Sequence, residues 1–396
     1  MLFIQIIYSL LIIVFAIPTL VLFIQVFFAA FASRKARVNV NDAITDRVTV
    51  LIPAHNESSN ILPTLASLKA QSTKVEVLVV ADNCEDDTAH IARAAGAIAV
   101  ERFDQSLRGK GYALDFGVRH LAKEAAPDYV VIVDADCVLE SSAITALINT
   151  AKHEARPVQA SYLMRSSAQS SIKTKIAEFA WLLKNFVRPL GFMQLRLPCQ
   201  LTGSGMAFSW SLISKVNFAS GHIVEDMKMG LDFADIGFAP VFCPAALVYS
   251  DFPVNEEGIK TQRTRWEHGH LGIIIKDVPS VLRKGITHKN LNLFAMGIDL
   301  IVPPLSLMAI MLMSLLVGGL ALTLISNAFA SLLINAVAVF AIFVISIMLF
   351  WLAYGRKAIS LGQLLSIPYY ILMKLPIYAK FIFHRQSEWV RSKRDD

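Results

Sequence analysis

Apolar residues gather in four long blocks, and between the first and second lies a segment where short apolar runs alternate with polar stretches. The first block, Leu2 to Ala32, contains no charged side chain. At about 1.5 Å per residue, a helix of that length exceeds the roughly 30 Å hydrocarbon layer of a bilayer. AFAS at its end resembles a signal cleavage site, but no positive charge precedes the run, while Arg34, Lys35 and Arg37 follow it at once. That asymmetry favours a retained anchor and places everything after Arg34 on the cytoplasmic side. Blocks near Ile301 to Ile325 and Leu332 to Tyr354, separated by SNAFAS and followed by Arg356 and Lys357, predict a helical hairpin. The last block, Leu361 to Phe383, is interrupted by Pro368 and Pro376 and holds Lys374 and Lys380. Proline breaks the backbone ladder and buried charge is expensive in lipid, so an interfacial or re-entrant element is expected there, with the basic tail RQSEWVRSKR on the inner face.

From Arg47 to about Leu291 the pattern changes. VTVLIPA, VEVLVVA and YVVIVDA are β-branched runs bounded by polar residues, the signature of buried parallel strands. Helix starts are expected at Asn56, at Asp86 to Asp87 and at Ser141. Strand and helix in alternation predict an α/β doubly wound sheet, whose ligands bind outside the carboxyl ends of the strands. The residues there are His55, Asn56 and Glu57, then Asp82 and Asn83, then Asp134 and Asp136. Turns and caps also favour Asp and Asn, so any one of these positions carries little; three in a row shift the balance. No G-x-G-x-x-G follows the first strand, which removes the main support for a dinucleotide site.

The chain is 55% hydrophobic and 17% charged, consistent with much of it lying in lipid. Its net charge of +6 concentrates near the membrane boundaries, where attraction to anionic head groups accounts for it. No basic stripe within the folded segment points to nucleic acid. Cys84, Cys137, Cys199 and Cys243 are too widely spaced for a disulfide framework or a zinc site, and are expected to be reduced.

DAD at Asp134 to Asp136 is a D-x-D directly after a strand, and two such carboxylates can converge on one hard cation that neutralises a diphosphate. VEDMKMG offers Glu225 and Asp226, either complementing a helix dipole or supplying a general base. LTGSGMAF holds Gly203 and Ser204, small residues that let a substrate approach the backbone or that simply turn the chain. RGKGYALDFG is not a phosphate loop, because Asp104 stands where the first glycine is required and no Ser or Thr follows Lys110; Lys110 can still meet phosphate as a point charge. TQRTRWEHGH puts Gln262, Arg265 and Trp266 shortly before membrane-like sequence, where Arg and Trp also serve as interface anchors. His268 and His270 do not have the spacing of a helical metal pair and are expected to be structural.

The order of these motifs is more specific than any one of them. PAHNE, VVADN, GKGYALDFG, DAD, TGSGMAF, VED and QRTRW in succession resemble the membrane-bound family 2 glycosyltransferases, which include cellulose, chitin, hyaluronan and poly-N-acetylglucosamine synthases. The resemblance covers roughly Arg47 to Leu271 and implies an inverting enzyme with a GT-A (Rossmann-like) cytoplasmic domain flanked by transmembrane and interfacial helices. It implies that Asp82 and Glu57 serve the nucleotide base pocket, with Lys110 beside the nucleotide. Asp136 would bind Mg2+ or Mn2+, Asp134 would lie beside the sugar nucleotide, and Asp226 would be the base. Gln262, Arg265 and Trp266 would complete the catalytic set as Q-x-x-R-W, with Arg265 on the diphosphate and Trp266 at the acceptor, where Gly203 and Ser204 would also lie.

The expected division is a membrane helix over residues 1–33, a catalytic domain over 34–291, a membrane hairpin over 292–356, and an interfacial segment with a basic tail over 357–396. The expected partners are a nucleotide sugar, UDP-linked by the resemblance, a lipid-linked or glycan acceptor, the bacterial cytoplasmic membrane, and export or polymerisation proteins. So few helices, with so little polar lining, favour transfer without self-contained export. A processive synthase that translocates its own product, and a non-catalytic membrane scaffold, are the alternatives.

Overall fold

The computed structural model describes residues 1–32, 44–167, 169–219, 224–252 and 256–383. The juxtamembrane charges Arg34, Lys35 and Arg37 and the tail RQSEWVRSKR lie outside them, as does the side chain of Lys380.

Among the described residues, eight strands form one mixed sheet in the order β3-β2-β1-β4-β7-β6-β8-β5. They are β1 Val48–Ala54, β2 Glu76–Asp82, β3 Ile98–Arg102, β4 Tyr129–Ile132, β5 Val138–Leu139, β6 Val158–Arg165, β7 Met206–Ser209 and β8 Val241–Asp251. β1 pairs in parallel with β2 on one side and β4 on the other, so the chain reverses direction across the sheet at β1. Val50, Leu51 and Ile52 are all fully buried, as a strand covered on both faces requires. Helices α2 (Ile61–Lys69), α3 (Thr88–Ala94) and α5 (Ala143–Glu154) belong to one face, and α4 (Lys110–Lys123), α8 (Trp210–Ile213) and α9 (Glu225–Asp235) to the other.

The three strands read from the sequence are present; one helix starts at Asp87 as expected, and the other is capped by Ser142, one residue after the expected Ser141. α2 begins at Ile61 rather than Asn56. Asn56 is left-handed at φ 53°, and its side-chain oxygen accepts from the Glu85 amide at 2.7 Å, so residues 56–60 form a turn before the helix can start.

Among the described residues, three helices are long and apolar enough to cross a membrane: α1 (Leu2–Ala30), α13 (Leu305–Ile325), and Asn327–Ala353, which contains α14 (Ala330–Ala353). The last block forms three short helices, α15 (Leu361–Leu365), α16 (Ile367–Leu372) and α17 (Leu375–Phe383), none long enough to span. Lys374 there is ion-paired with Glu267, which resolves its burial.

Between the sheet and these helices lie α6 (Ile172–Leu182), a π-helical turn over Leu183–Val187, and α7 (Arg188–Gln194). They share a hydrophobic cluster with α1, α13 and α14. α7 crosses α1 so closely that a Cβ on Gly191 would lie 1.9 Å from the Gln25 carbonyl oxygen, which only glycine allows. The chain continues through α10 (Glu256–Lys276), α11 (Val278–Thr287) and α12 (Leu291–Leu300) before α13.

Candidate active site

The carboxyl ends of β1, β2 and β4 lie beside the reversal point, where sheets of this kind bind ligands. The D-x-D follows β4 as a tight turn closed by the Cys137 amide on the Asp134 carbonyl at 3.1 Å. Thr64 of α2 holds that turn from behind, its hydroxyl donating to the Ala135 carbonyl at 2.7 Å. Asp136 accepts from the Ser250 hydroxyl at 2.9 Å, which fixes one oxygen of its carboxylate.

The turn before β7 brings further side chains to these strand ends. Gly203 adopts φ 95°, and a Cβ there would meet Asp226 Oδ2 at 3.3 Å, Lys110 Nζ at 3.5 Å and Asp134 Oδ2 at 3.8 Å. Side chains separated by up to 116 positions in sequence, Lys110 to Asp226, therefore surround one backbone point. Lys110 donates to the Gly203 carbonyl at 2.8 Å and is ion-paired with Asp134. Burial works to lower the lysine pKa, but Asp134, Glu225 and Asp226 outweigh it and hold the ammonium firmly charged.

Glu225 and Asp226 open α9, and an amide of that first turn, Met227, donates to Asp226 at 2.8 Å. Burial pushes Glu225 up to about 7, aided by the neighbouring Asp226 and opposed by Lys110 and Arg265. Burial likewise raises Asp226, with Lys110 opposing. A carboxylate kept basic beside a fixed cation is suited to accepting a proton.

Asp82 ends β2, next to β1. It is 6% exposed and ion-paired with the buried Arg102 at 2.6 Å. Burial raises its pKa and Arg102 opposes the rise. His55 Nδ1 lies 2.7 Å from the Asp82 carbonyl oxygen, tying the two strand ends together, while Glu57 accepts from Asn60 at 3.0 Å.

Ser204 is fully buried, and its hydroxyl accepts from the Asp134 amide at 3.1 Å, so the structure gives it to the turn itself. Gln262 and Trp266 sit on α10 beside a large cavity, with the Trp266 ring centroid 4.6 Å from that of Trp181. Arg265, on the same helix, acts electrostatically on Glu225. His268 and His270 approach the carbonyls of Ile377 and Leu300 at 3.2 and 3.1 Å, and burial lowers His270 to about 3, so both are held by backbone as expected.

Two positioning residues carry no sequence signal. Gln159, 2% exposed on β6, donates to the Ser204 carbonyl at 2.9 Å and accepts from the Thr202 amide at 2.8 Å, clamping the Gly203 turn. Arg102 orients Asp82. A lone Gln or Arg in a strand has no spacing to announce it.

For a divalent cation the relevant donors are Asp134, Asp136 and Cys137, whose ligand atoms lie within 4.8 Å of one another. Burial drives the Cys137 thiol well above its usual value, so it stays protonated and the usable set is two carboxylates. That fits Mg2+ or Mn2+, which take one or two carboxylates and complete their shells with phosphate and water.

Comparison with known proteins agrees with this geometry. A family model described as "Glycosyltransferase like family 2" matches residues 46–269. The chain is 28% identical over 261 residues to a poly-beta-1,6-N-acetyl-D-glucosamine synthase of Staphylococcus aureus, covering 63% of this chain and 60% of that one. It is 24% identical over 242 residues to a probable glycosyltransferase, YdaM, of Bacillus subtilis, covering 58% and 56% respectively. The chain thus matches less than two thirds of the length of these curated relatives. Among solved structures, the mannosyltransferase PcManGT of Pyrobaculum calidifontis, in complex with GDP-Man and Mn2+, superposes with a TM-score of 0.53 over 86% of this chain and 97% of that one, at 17% identity. That likeness establishes the GT-A fold. Fold, motif order and family model coincide on the same residues, and the chain belongs to the family 2 glycosyltransferases.

Proposed function

We propose that this enzyme transfers a sugar, with inversion, from a nucleoside diphosphate sugar, UDP-linked in the first instance, to a lipid-linked or glycan acceptor at the cytoplasmic face of a bacterial membrane. The observation that carries the reading is the Gly203 turn, around which Asp226, Lys110 and Asp134 stand within 4 Å of one point. The poly-N-acetylglucosamine synthase relative and the GDP-mannose complex of the structural neighbour support a nucleotide-sugar donor.

Asp82 and Glu57 would face the nucleotide. Lys110 and Arg265 would meet the diphosphate, stabilising charge as it develops on the leaving group. A divalent cation on Asp136, with Asp134 beside it, would neutralise the same diphosphate. Asp226 would take the proton of the acceptor hydroxyl as its oxygen attacks the anomeric carbon from the opposite face. Trp266 would frame the acceptor, its ring face offering the apolar side of a sugar a platform, with Gln262 one turn away on the same helix. Gly203 would leave room for the reacting groups, while Ser204 serves the acceptor side by shaping that turn.

Direct displacement gives a β-linked product from an α-linked donor. Proton NMR of product extracted from membranes fed UDP-sugars should show the inverted anomer, and retention would exclude this mechanism. The acid limb of kcat/KM should lie well above the ordinary carboxylate range, because the pair must lose a proton held by burial. The matching stability change has a definite sign. With Glu225 raised from 4.5 to about 7, the folded chain binds more protons than the unfolded one, so stability falls as pH rises through that window. A rate profile flat down to pH about 5 would remove the buried pair from the rate-determining protonation.

A further inference from the structure

A cavity of about 1150 Å³ begins at the active-site helix α10 and runs into the membrane region. Gln262, Trp266, Trp181 and Lys184 stand at its head. Its wall on α13 extends from Leu305 to Gly318, about 20 Å at 1.5 Å per residue, or some two thirds of a hydrocarbon layer. Ile310, Met313, Val317, Phe340 and Val344 typify its wall, where Ser306, Ser314 and Tyr370 supply the hydroxyls. Ser306 already bonds the Tyr378 hydroxyl at 2.6 Å. A glycan drawn along this wall would give up water at many hydroxyls and find few partners, at a cost for each. An aliphatic chain would lose nothing.

The head has the opposite character. Arg188 is paired with Asp299 and Lys374 with Glu267, but the Lys184 ammonium makes no hydrogen bond or ion pair among the described residues. Its Nζ lies 5.8 Å from the Trp181 ring, in a π-helical turn of a kind that recurs at functional sites. Burial lowers its pKa, and the nearby Asp226 opposes the fall. A cation at the head of an apolar cavity, within electrostatic reach of the candidate base, complements an anionic amphiphile.

We propose that this cavity seats the acyl chains of an anionic, hydroxyl-bearing membrane lipid, whose phosphate meets Lys184 while its hydroxyl turns toward Asp226 as the acceptor. The inference rests on the glycosyl-transfer reading and narrows its acceptor to a lipid. In the transfer step the lipid hydroxyl oxygen bonds to the anomeric carbon and the bond from that carbon to the diphosphate oxygen breaks. The hydroxyl proton passes to Asp226, and the nucleoside diphosphate leaves with the electron pair.

The test uses the full chain in nanodiscs of phosphatidylcholine containing phosphatidylglycerol, released into native mass spectrometry, with UDP binding measured on the same samples. Wild type should retain phosphatidylglycerol at least tenfold over phosphatidylcholine. Lys184→Gln should abolish that preference while lipid of either kind is still retained. Ser314→Trp, which fills the channel, should lower retention of both lipids at least tenfold with UDP binding unchanged. Equal retention of the two lipids by wild type, or retention indifferent to both substitutions, would overturn the proposal. So would glycerol 3-phosphate, which lacks chains, binding as tightly as the lipid. Failure of wild type to bind UDP would instead undo the donor reading and leave the lipid result standing.

Discussion

Replacing Asp226 by asparagine is expected to lower glycosyl transfer by about 10²–10⁴-fold, the range a positioned general base contributes. The substitution keeps shape and the hydrogen bond from Met227, but the amide cannot accept the acceptor proton at neutral pH. Nucleotide binding should hold or tighten, since a negative charge beside Lys110 and the diphosphate position disappears. Initial rates with a radiolabelled donor, paired with UDP titrations, separate the two effects. Transfer within about tenfold of wild type would reassign the proton to another group, with Glu225 the nearest candidate.

The second large effect concerns how the catalytic unit is fastened to its membrane helices. Arg188 of α7 donates from Nε to Gln25 of α1 at 2.9 Å, and from Nη2 to the Asp299 carboxylate and carbonyl of α12, each at 2.7 Å. Gln25 closes the triangle by donating to Asp299 at 2.6 Å. All three residues are buried. Asp299→Ala strands a guanidinium in a low-dielectric site and is expected to cost about 3–5 kcal/mol, a shift in Tm on the order of 10 °C. Combining it with Arg188→Met should recover part of the loss, because the stranded charge goes too. Thermal unfolding in detergent, followed by tryptophan fluorescence, reads both. A single variant as stable as wild type would show that the triangle does not hold α1 to α7.

The strands that frame the candidate site were legible because burial on both faces demands continuous β-branched runs, and β1 is VTVLIPA without adjustment. The edge of the sheet was not. β8 carries Pro244 in its middle, with a register shift opposite Ala160 and Ser161, and β5 is only two residues long, so neither shows a clean period. The membrane helices were legible within a few residues, since charge-free length is a strong signal. α6, the π-helical turn and α7 were hidden because Lys184 and Arg188 interrupt the apolar pattern between them, and those charges make sense only against Asp299 and the cavity.

The site divides in the same way. Asp134, Asp136, Asp226 and Gly203 each follow or precede an element end, where short motifs are visible, and the structure brings Asp134, Asp226 and Gly203 to one point. What sequence could not supply is Lys110 bridging to the Gly203 carbonyl, or Gln159 holding that turn from a neighbouring strand, because both depend on long-range pairing.

Mn2+ binding in the presence of UDP, followed by electron paramagnetic resonance as loss of the free-ion signal, tests most directly whether these carboxylates share one donor site. Wild type should bind about one Mn2+ per chain only when UDP is present, since two carboxylates alone leave the shell incomplete. Asp136→Ala should weaken that binding at least tenfold. Mn2+ uptake that ignores UDP, or that survives Asp136→Ala unchanged, would contradict a shared cation and diphosphate site at these strand ends.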